Sequence, residues 1–158
     1  MASNFPLQTL LDLSRLRLDQ ATRELGELIA GEQHAATRYE LLVRYRDEYQ
    51  SRFLQAAESG LGLSEWSNYS RFLARIDDAI VAAAQSVAQT QHRTIAGQQD
   101  WRGKQGRVKA FSTLEERHLA AVASEEHRRA QKASDEFSAR GHSNGSGQPN
   151  PLRTFPVA

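Results

Sequence analysis

The residues whose types could do chemistry are few and poorly spaced for it. Glu115 and His118 form a Glu-x-x-His pair, a spacing that puts both side chains on one helix face and supplies ligands in di-iron bundles. Such a centre needs a second pair and further carboxylates on facing helices, so a solvated surface pair is the simpler reading, and no metal or other cofactor is expected. His34, His92, His127 and His142 are scattered without ligand-like spacing. The absence of cysteine excludes disulfides and thiolate metal sites. Gly97, Gly103 and Gly106 follow no strand and make no phosphate-binding loop. Arg102, Lys104, Arg107 and Lys109 could contact phosphate backbones, but Asp100, Glu115 and Glu116 flank them and a solvated basic helix face is common. No catalytic residue emerges, and the chain reads as non-enzymatic.

What positions these side chains is helix, divided by one short stretch. Residues 58–65, Glu-Ser-Gly-Leu-Gly-Leu-Ser-Glu, interrupt a long heptad pattern just before a second one begins. Gly60 and Gly62 can take positive φ at little steric cost, which ends a helix and lets the chain reverse. Ser64 is then available to cap the next helix through its hydroxyl. All four prolines lie near the ends, at Pro6, Pro149, Pro151 and Pro156. Proline costs about 3 kcal/mol inside a helix, so the proline-free span between them permits very long ones.

The 158 residues carry 25% charged side chains and a formal charge of +1, with a mean hydropathy of -0.62. No apolar run approaches the roughly 18 residues of a membrane span, and the start, Met-Ala-Ser-Asn-Phe-Pro, is unlike a secretory signal. A cytoplasmic protein without direct membrane insertion is expected. The balanced charge gives no net attraction to nucleic acid, so any charged partner is met by a local patch.

The first heptad places Leu11, Leu18, Leu25, Glu32, Tyr39, Arg46 and Phe53 at a, with Ser14, Ala21, Leu28, Ala35, Leu42, Tyr49 and Ala56 at d. The second places Trp66, Leu73, Ile80, Val87, Thr94, Trp101, Val108 and Val122 at a, with Tyr69, Ile76, Ala83 and Phe111 among the d positions. The fold class is all-α: a long antiparallel two-helix coiled-coil hairpin with a longer second helix. Its divisions are a flexible N-terminus over 1–6, a first helix over 7–57, the turn over 58–65, a second helix over 66–140 and a disordered tail over 141–158. If the chain reverses at Leu61, positions whose numbers sum to about 122 face one another. Phe53 then meets Tyr69, Tyr49 meets Leu73, Ala21 meets Trp101 and Leu11 meets Phe111. Glu32 opposite Thr90, beside Gly31 and Gly97, makes a poorly packed layer where bending or fraying is expected.

In that register the first helix runs out near Glu115, leaving residues 116–140 without a partner arm. That is about 35 to 40 Å of helix, at best marginal in isolation, and it carries Leu119, Val122 and Phe137. A protein partner or self-association would cover it. Just after the turn, Phe72, Ile76, Ala79 and Ala83 form an apolar stripe that partly leaves the seam, suited to extra packing or to docking.

Several motifs, in order, carry a family resemblance. They are Leu42-x-x-Tyr45-x-x-Glu48-Tyr49, Trp66-x-Asn68-Tyr69-x-x-Phe72 and Ile76-x-x-Ala79-Ile80. Beyond these come Trp101-x-x-Lys104-x-x-Arg107, Thr113-Leu114-x-x-Arg117-x-x-Ala120-Ala121 and Glu126-x-Arg128-x-x-Gln131-Lys132-x-x-Asp135-Glu136-Phe137. The series resembles the flagellar export protein FliJ family over nearly all of residues 7–140.

The resemblance implies a coiled-coil stalk of flagellar type III protein export, bound at the cytoplasmic face of the inner membrane and needed for flagellum biogenesis, motility and hence chemotaxis. Its paired termini would enter the ring of the hexameric export ATPase, another surface would meet the transmembrane export gate, and it would assist export chaperones. It implies ATPase-ring contacts at Arg128, Gln131, Lys132, Asp135, Glu136 and Arg140, and gate contacts at Phe72, Ile76, Ala79 and Ala83. At the last of these the family often has a larger or polar group. The related injectisome stalk, a nucleic-acid-binding hairpin acting through residues 102–109, and a self-associating scaffold are the alternatives.

Overall fold

A computed structural model of the chain describes residues 4–143. It is an antiparallel hairpin of two helices, α1 (Gln8–Glu58) and α2 (Leu63–Ser143), with no strand among the described residues. Two compact units are distinguished among the described residues: Thr9–Phe111, and residues 4–8 together with 112–143.

Within Thr9–Phe111 the packing follows the heptads. Every a and d position of α1 from Leu11 to Ala56 is buried or half-buried, as is every a and d position of α2 from Tyr69 to Phe111. Leu11 is completely buried, and Ala21, Ile76, Ala83 and Thr94 are nearly so. The register is the expected one, since Phe53 lies against Tyr69 with ring centroids 5.3 Å apart. Farther along, the Trp101 indole Nε1 donates to Thr22 Oγ1 at 2.9 Å, directly beside buried Ala21. Tyr49, whose heptad partner is the half-buried Leu73, also meets the Phe72 ring, with centroids 4.4 Å apart. An aromatic ring at the flanking g position is long enough to reach the edge of the seam.

The turn departs from expectation in its details. Only Gly60 has positive φ, at 93°, and Gly62 does not. The Ser59 and Gly60 amides donate to the Gln55 and Ala57 carbonyls, satisfying acceptors at the end of α1. The first backbone bond of α2 runs from Trp66 N–H to Gly62 O, so Gly62 holds the N-cap position and Ser64 lies inside the helix. Trp66 is 52% exposed and leaves the seam, because α1 is ending there and the register offers only alanines across from it.

Both helices continue unbroken through the layer of Glu32 and Thr90. The layer is loose at its side, where Gly31, Thr90, Leu28 and Arg93 border a hollow of ≈ 440 Å³. It is held from within by the buried Thr94 hydroxyl, which donates to Thr90 O at 3.0 Å and lies 3.4 Å from Leu28 O across the seam. Gly97 lets the helices approach closely in the next layer: a Cβ there would sit 2.6 Å from Leu28 Cδ1, so the Leu28 side chain would have to shift.

In the other unit the Phe5 ring is buried and lies tilted at 49° to the His118 ring, with centroids 5.7 Å apart. The segment ahead of α1, read from sequence as flexible, is therefore packed at Phe5. Glu115, His118, Val122 and Glu125 continue the half-buried a and d positions; from residue 126 to residue 143 every residue is exposed. Residues 141–143, read as the start of a disordered tail, are still helical, and Ser143 Oγ donates to Arg140 O. The rest of that expected tail lies outside the described residues.

Candidate functional site

Glu115 and His118 occupy seam positions, half-buried, with the Phe5 ring beside the imidazole. They are structural rather than solvated. No group of three or more His, Asp or Glu side chains that could hold a metal ion lies together among the described residues. No helix there is long and apolar enough to cross a membrane.

The four cations of residues 102–109 do not form one stripe. At 100° per residue Arg102 and Lys109 share one face of α2, while Lys104 and Arg107 lie well round from it. Lys104 is also tied to Asp100 at 2.7 Å. A phosphate backbone needs a contiguous track of positive charge, and this arrangement splits it.

Two surfaces remain as candidates for partner contact. The first lies near the turn, where Tyr45, Tyr49, Phe53, Tyr69 and Phe72 form a continuous aromatic cluster with centroid separations of 4.4 to 6.4 Å. Partial desolvation by these neighbours, with the Tyr69 and Tyr45 hydroxyls nearby, pushes the Tyr49 pKa up. One layer on, the Arg46 guanidinium donates to Asp77 across the seam, which holds Arg46 protonated beyond its usual range. Of the four residues in the apolar stripe, Ile76 and Ala83 are buried against α1, and Phe72 and Ala79 are half-buried. The stripe is thus mostly interior. What reaches the surface is its edge, where Phe72 borders a shallow hollow of ≈ 240 Å³ with Asn68, Arg71 and Arg75.

The second surface is α2 over residues 126–143, about 27 Å of helix. Arg128, Gln131, Lys132, Asp135, Glu136 and Arg140 all lie on it and are all exposed. Glu125 receives Arg128 at 3.0 Å and Arg129 at 3.3 Å. Lys132, Asp135, Glu136 and Arg140 form no ion pair among the described residues. Continuing the heptad beyond Val122 puts Glu125, Arg129, Lys132 and Glu136 at a and d. The seam has become charged, whereas Leu119 and Phe137 point elsewhere, 55% and 80% exposed.

Sequence reading had not anticipated a groove along one side of Thr9–Phe111, formed by g, c and d positions of both helices. Leu10, Leu13 and Phe111 border one end, a hollow of ≈ 280 Å³. It shares Ser14, Arg17 and Arg107 with a second hollow of ≈ 280 Å³, which continues past Gln20 to Glu24. The hollow beside Gly31 follows, again bordered by Glu24. The signal was present as the run Leu10, Leu13, Arg17, Gln20, Glu24, but g and c positions are ordinarily read as solvent-facing.

The family described as Flagellar FliJ protein matches residues 3–147. The flagellar FliJ protein of Salmonella typhi is 34% identical over 140 residues, covering 89% of this chain and 95% of that protein. The flagellar FliJ protein of Escherichia coli K12 is 33% identical over 140 residues, with the same coverage of each. Similarity of that extent runs through both helices and the turn between them, and this chain belongs to the flagellar FliJ protein family.

Proposed function

We propose that this protein is a stalk that enters the ring of the hexameric flagellar export ATPase by the exposed end of α2 and couples that ring to the transmembrane export gate. As a FliJ-family member it is a non-enzymatic component of flagellar protein export. One observation carries the stalk reading: over residues 126–143 a helix continues with every side chain exposed and with charges at its seam positions. An apolar seam would demand a second helix; a charged one suits a polar pore whose lining changes through a catalytic cycle.

A rod in a ring shifts the balance among ring states only through different contacts with each. Lys132, Asp135, Glu136 and Arg140, charged and mutually unpaired, are free to exchange partners as the lining changes. Exposed ion pairs are each worth at most about 1 kcal/mol, so no single state is held tightly. Gate contact is assigned to the edge formed by Phe72 and Ala79, with Ile76 and Ala83 supporting it from beneath. The site of action is then the cytoplasmic face of the inner membrane, with assistance to export chaperones as an accompanying role.

The test is ATP hydrolysis by the assembled cognate ATPase with the full chain and with a chain ending at Glu125. Stimulation by the first and not the second is expected. Equal stimulation by both would remove the exposed end of α2 from the mechanism.

A further inference from the structure

The side groove of Thr9–Phe111 makes a second kind of partner site, and it does not depend on the stalk reading. We propose that it docks one amphipathic helix of another protein, held by apolar anchors over Leu10, Leu13 and Phe111 and by an Asp or Glu seated between Arg17 and Arg107.

Shape comes first. The three hollows share lining residues in series, so they form one trough from Leu10 to Gly31, about 32 Å along α1. A trough between two antiparallel helices has the form that a third helix fills. Leu10 and Leu13 are 45% and 40% exposed at its end.

Charge then selects the occupant. Arg17 comes from α1 and Arg107 from α2, both border the same two hollows, and neither forms an ion pair or hydrogen bond among the described residues. Lys104, also on the trough, is already held by Asp100. Two unpaired guanidiniums facing one trough from opposite walls fit a single carboxylate, which they can approach from both sides. From Leu10 and Leu13 to Arg17 is one to two helical turns. The partner helix therefore carries its acid about four to seven residues from its apolar anchors.

Other occupants fit less well. A nucleic-acid backbone would run from the arginines onto leucines at one end and onto Glu24 and Glu27 at the other. A second copy presenting the same trough would set one concave surface over another and leave a void that close packing does not tolerate.

The experiment places a photo-crosslinking benzoylphenylalanine at Gln20, inside the trough, or at Asp19, outside it, in the full chain in motile cells. The expected result is a crosslink to a different protein from position 20 and not from 19. It should fall about tenfold with Arg17→Glu and Arg107→Glu together, as for loss of a close interfacial charge pair. The crosslink should map to a helix with an acid beside apolar residues, and reversing that acid to Arg should restore it in the doubly reversed chain. Both arginines are unpaired, so the fold is expected to persist; Arg17→Gln with Arg107→Gln serves if circular dichroism shows otherwise. A crosslink to a second copy of this chain, one indifferent to charge reversal, or none from position 20 overturns the proposal.

Discussion

Gly97 separates two effects that alanine substitution usually mixes. Gly26 and Gly106 lie on exposed faces, and a Cβ at either meets nothing within 4 Å. Alanine there recovers only backbone entropy and helix propensity, so Gly106→Ala should stabilise the hairpin by about 0.8–1 kcal/mol. Gly97→Ala gains the same propensity but puts its Cβ 2.6 Å from Leu28 Cδ1. Carbon atoms pack at about 3.5–4.0 Å, so Leu28 must retreat by roughly 1 Å or the helices must part. Overpacking of that kind costs about 1–3 kcal/mol, which leaves Gly97→Ala neutral to about 2 kcal/mol destabilising. Urea unfolding followed by far-ultraviolet circular dichroism measures the difference, provided that the slope with denaturant is unchanged. Combining Gly97→Ala with Leu28→Ala removes the clash, so the pair should be less destabilised than the sum of the single changes by about 1 kcal/mol or more. If Gly97→Ala stabilised the protein as much as Gly106→Ala, the close approach of the helices at this layer would be refuted.

Gly60→Ala should destabilise by about 1–2 kcal/mol because only Gly60 in the turn has positive φ, whereas Gly62→Ala should cost clearly less; equal effects in thermal unfolding would contradict the turn geometry. Trp101→Phe removes the indole donor to Thr22 while keeping a ring in the seam, and a loss of about 0.5–1.5 kcal/mol in urea unfolding is expected. The raised pKa of Tyr49 means that its contribution to stability is fully present below the ordinary tyrosine value of about 10 and is lost as pH rises through the higher folded value. Tyr49→Phe should therefore flatten the decline of melting temperature in alkali, and an unchanged decline would separate Tyr49 from it. Amide exchange measured by mass spectrometry should be fast over residues 126–143 and slow around Leu11, Ala21 and Ile76, where the side chains are buried.

Local rules account for much of the hairpin. The proline-free span and the 3.5-residue repeat are properties of neighbours along the chain, and they are enough to specify two helices and the faces they bury. The glycines of the turn fix where the chain reverses, and reversal at one point sets the register everywhere: Phe53 with Tyr69 and Ala21 beside Trp101 both follow from it. The motif series likewise pointed to the flagellar family while leaving the related injectisome stalk open, and similarity over the whole length of both helices decided for the flagellar one.

Tertiary structure decided what depends on side-chain reach. Phe72 has a g-position address, yet its ring reaches Tyr49, with centroids 4.4 Å apart. Phe5 lies outside any heptad, but it is buried because His118 offers it an aromatic face. The apolar stripe of Phe72, Ile76, Ala79 and Ala83 suited either packing or docking by its spacing; its d members, Ile76 and Ala83, are buried, and its g members, Phe72 and Ala79, are half-buried. The trough was equally hidden in sequence, since Arg17 and Arg107 are far apart along the chain and border one hollow only once α1 and α2 lie side by side. Periodicity along one helix says which residues share a face; how far their side chains extend, and what stands opposite, is set only when the second helix is in place.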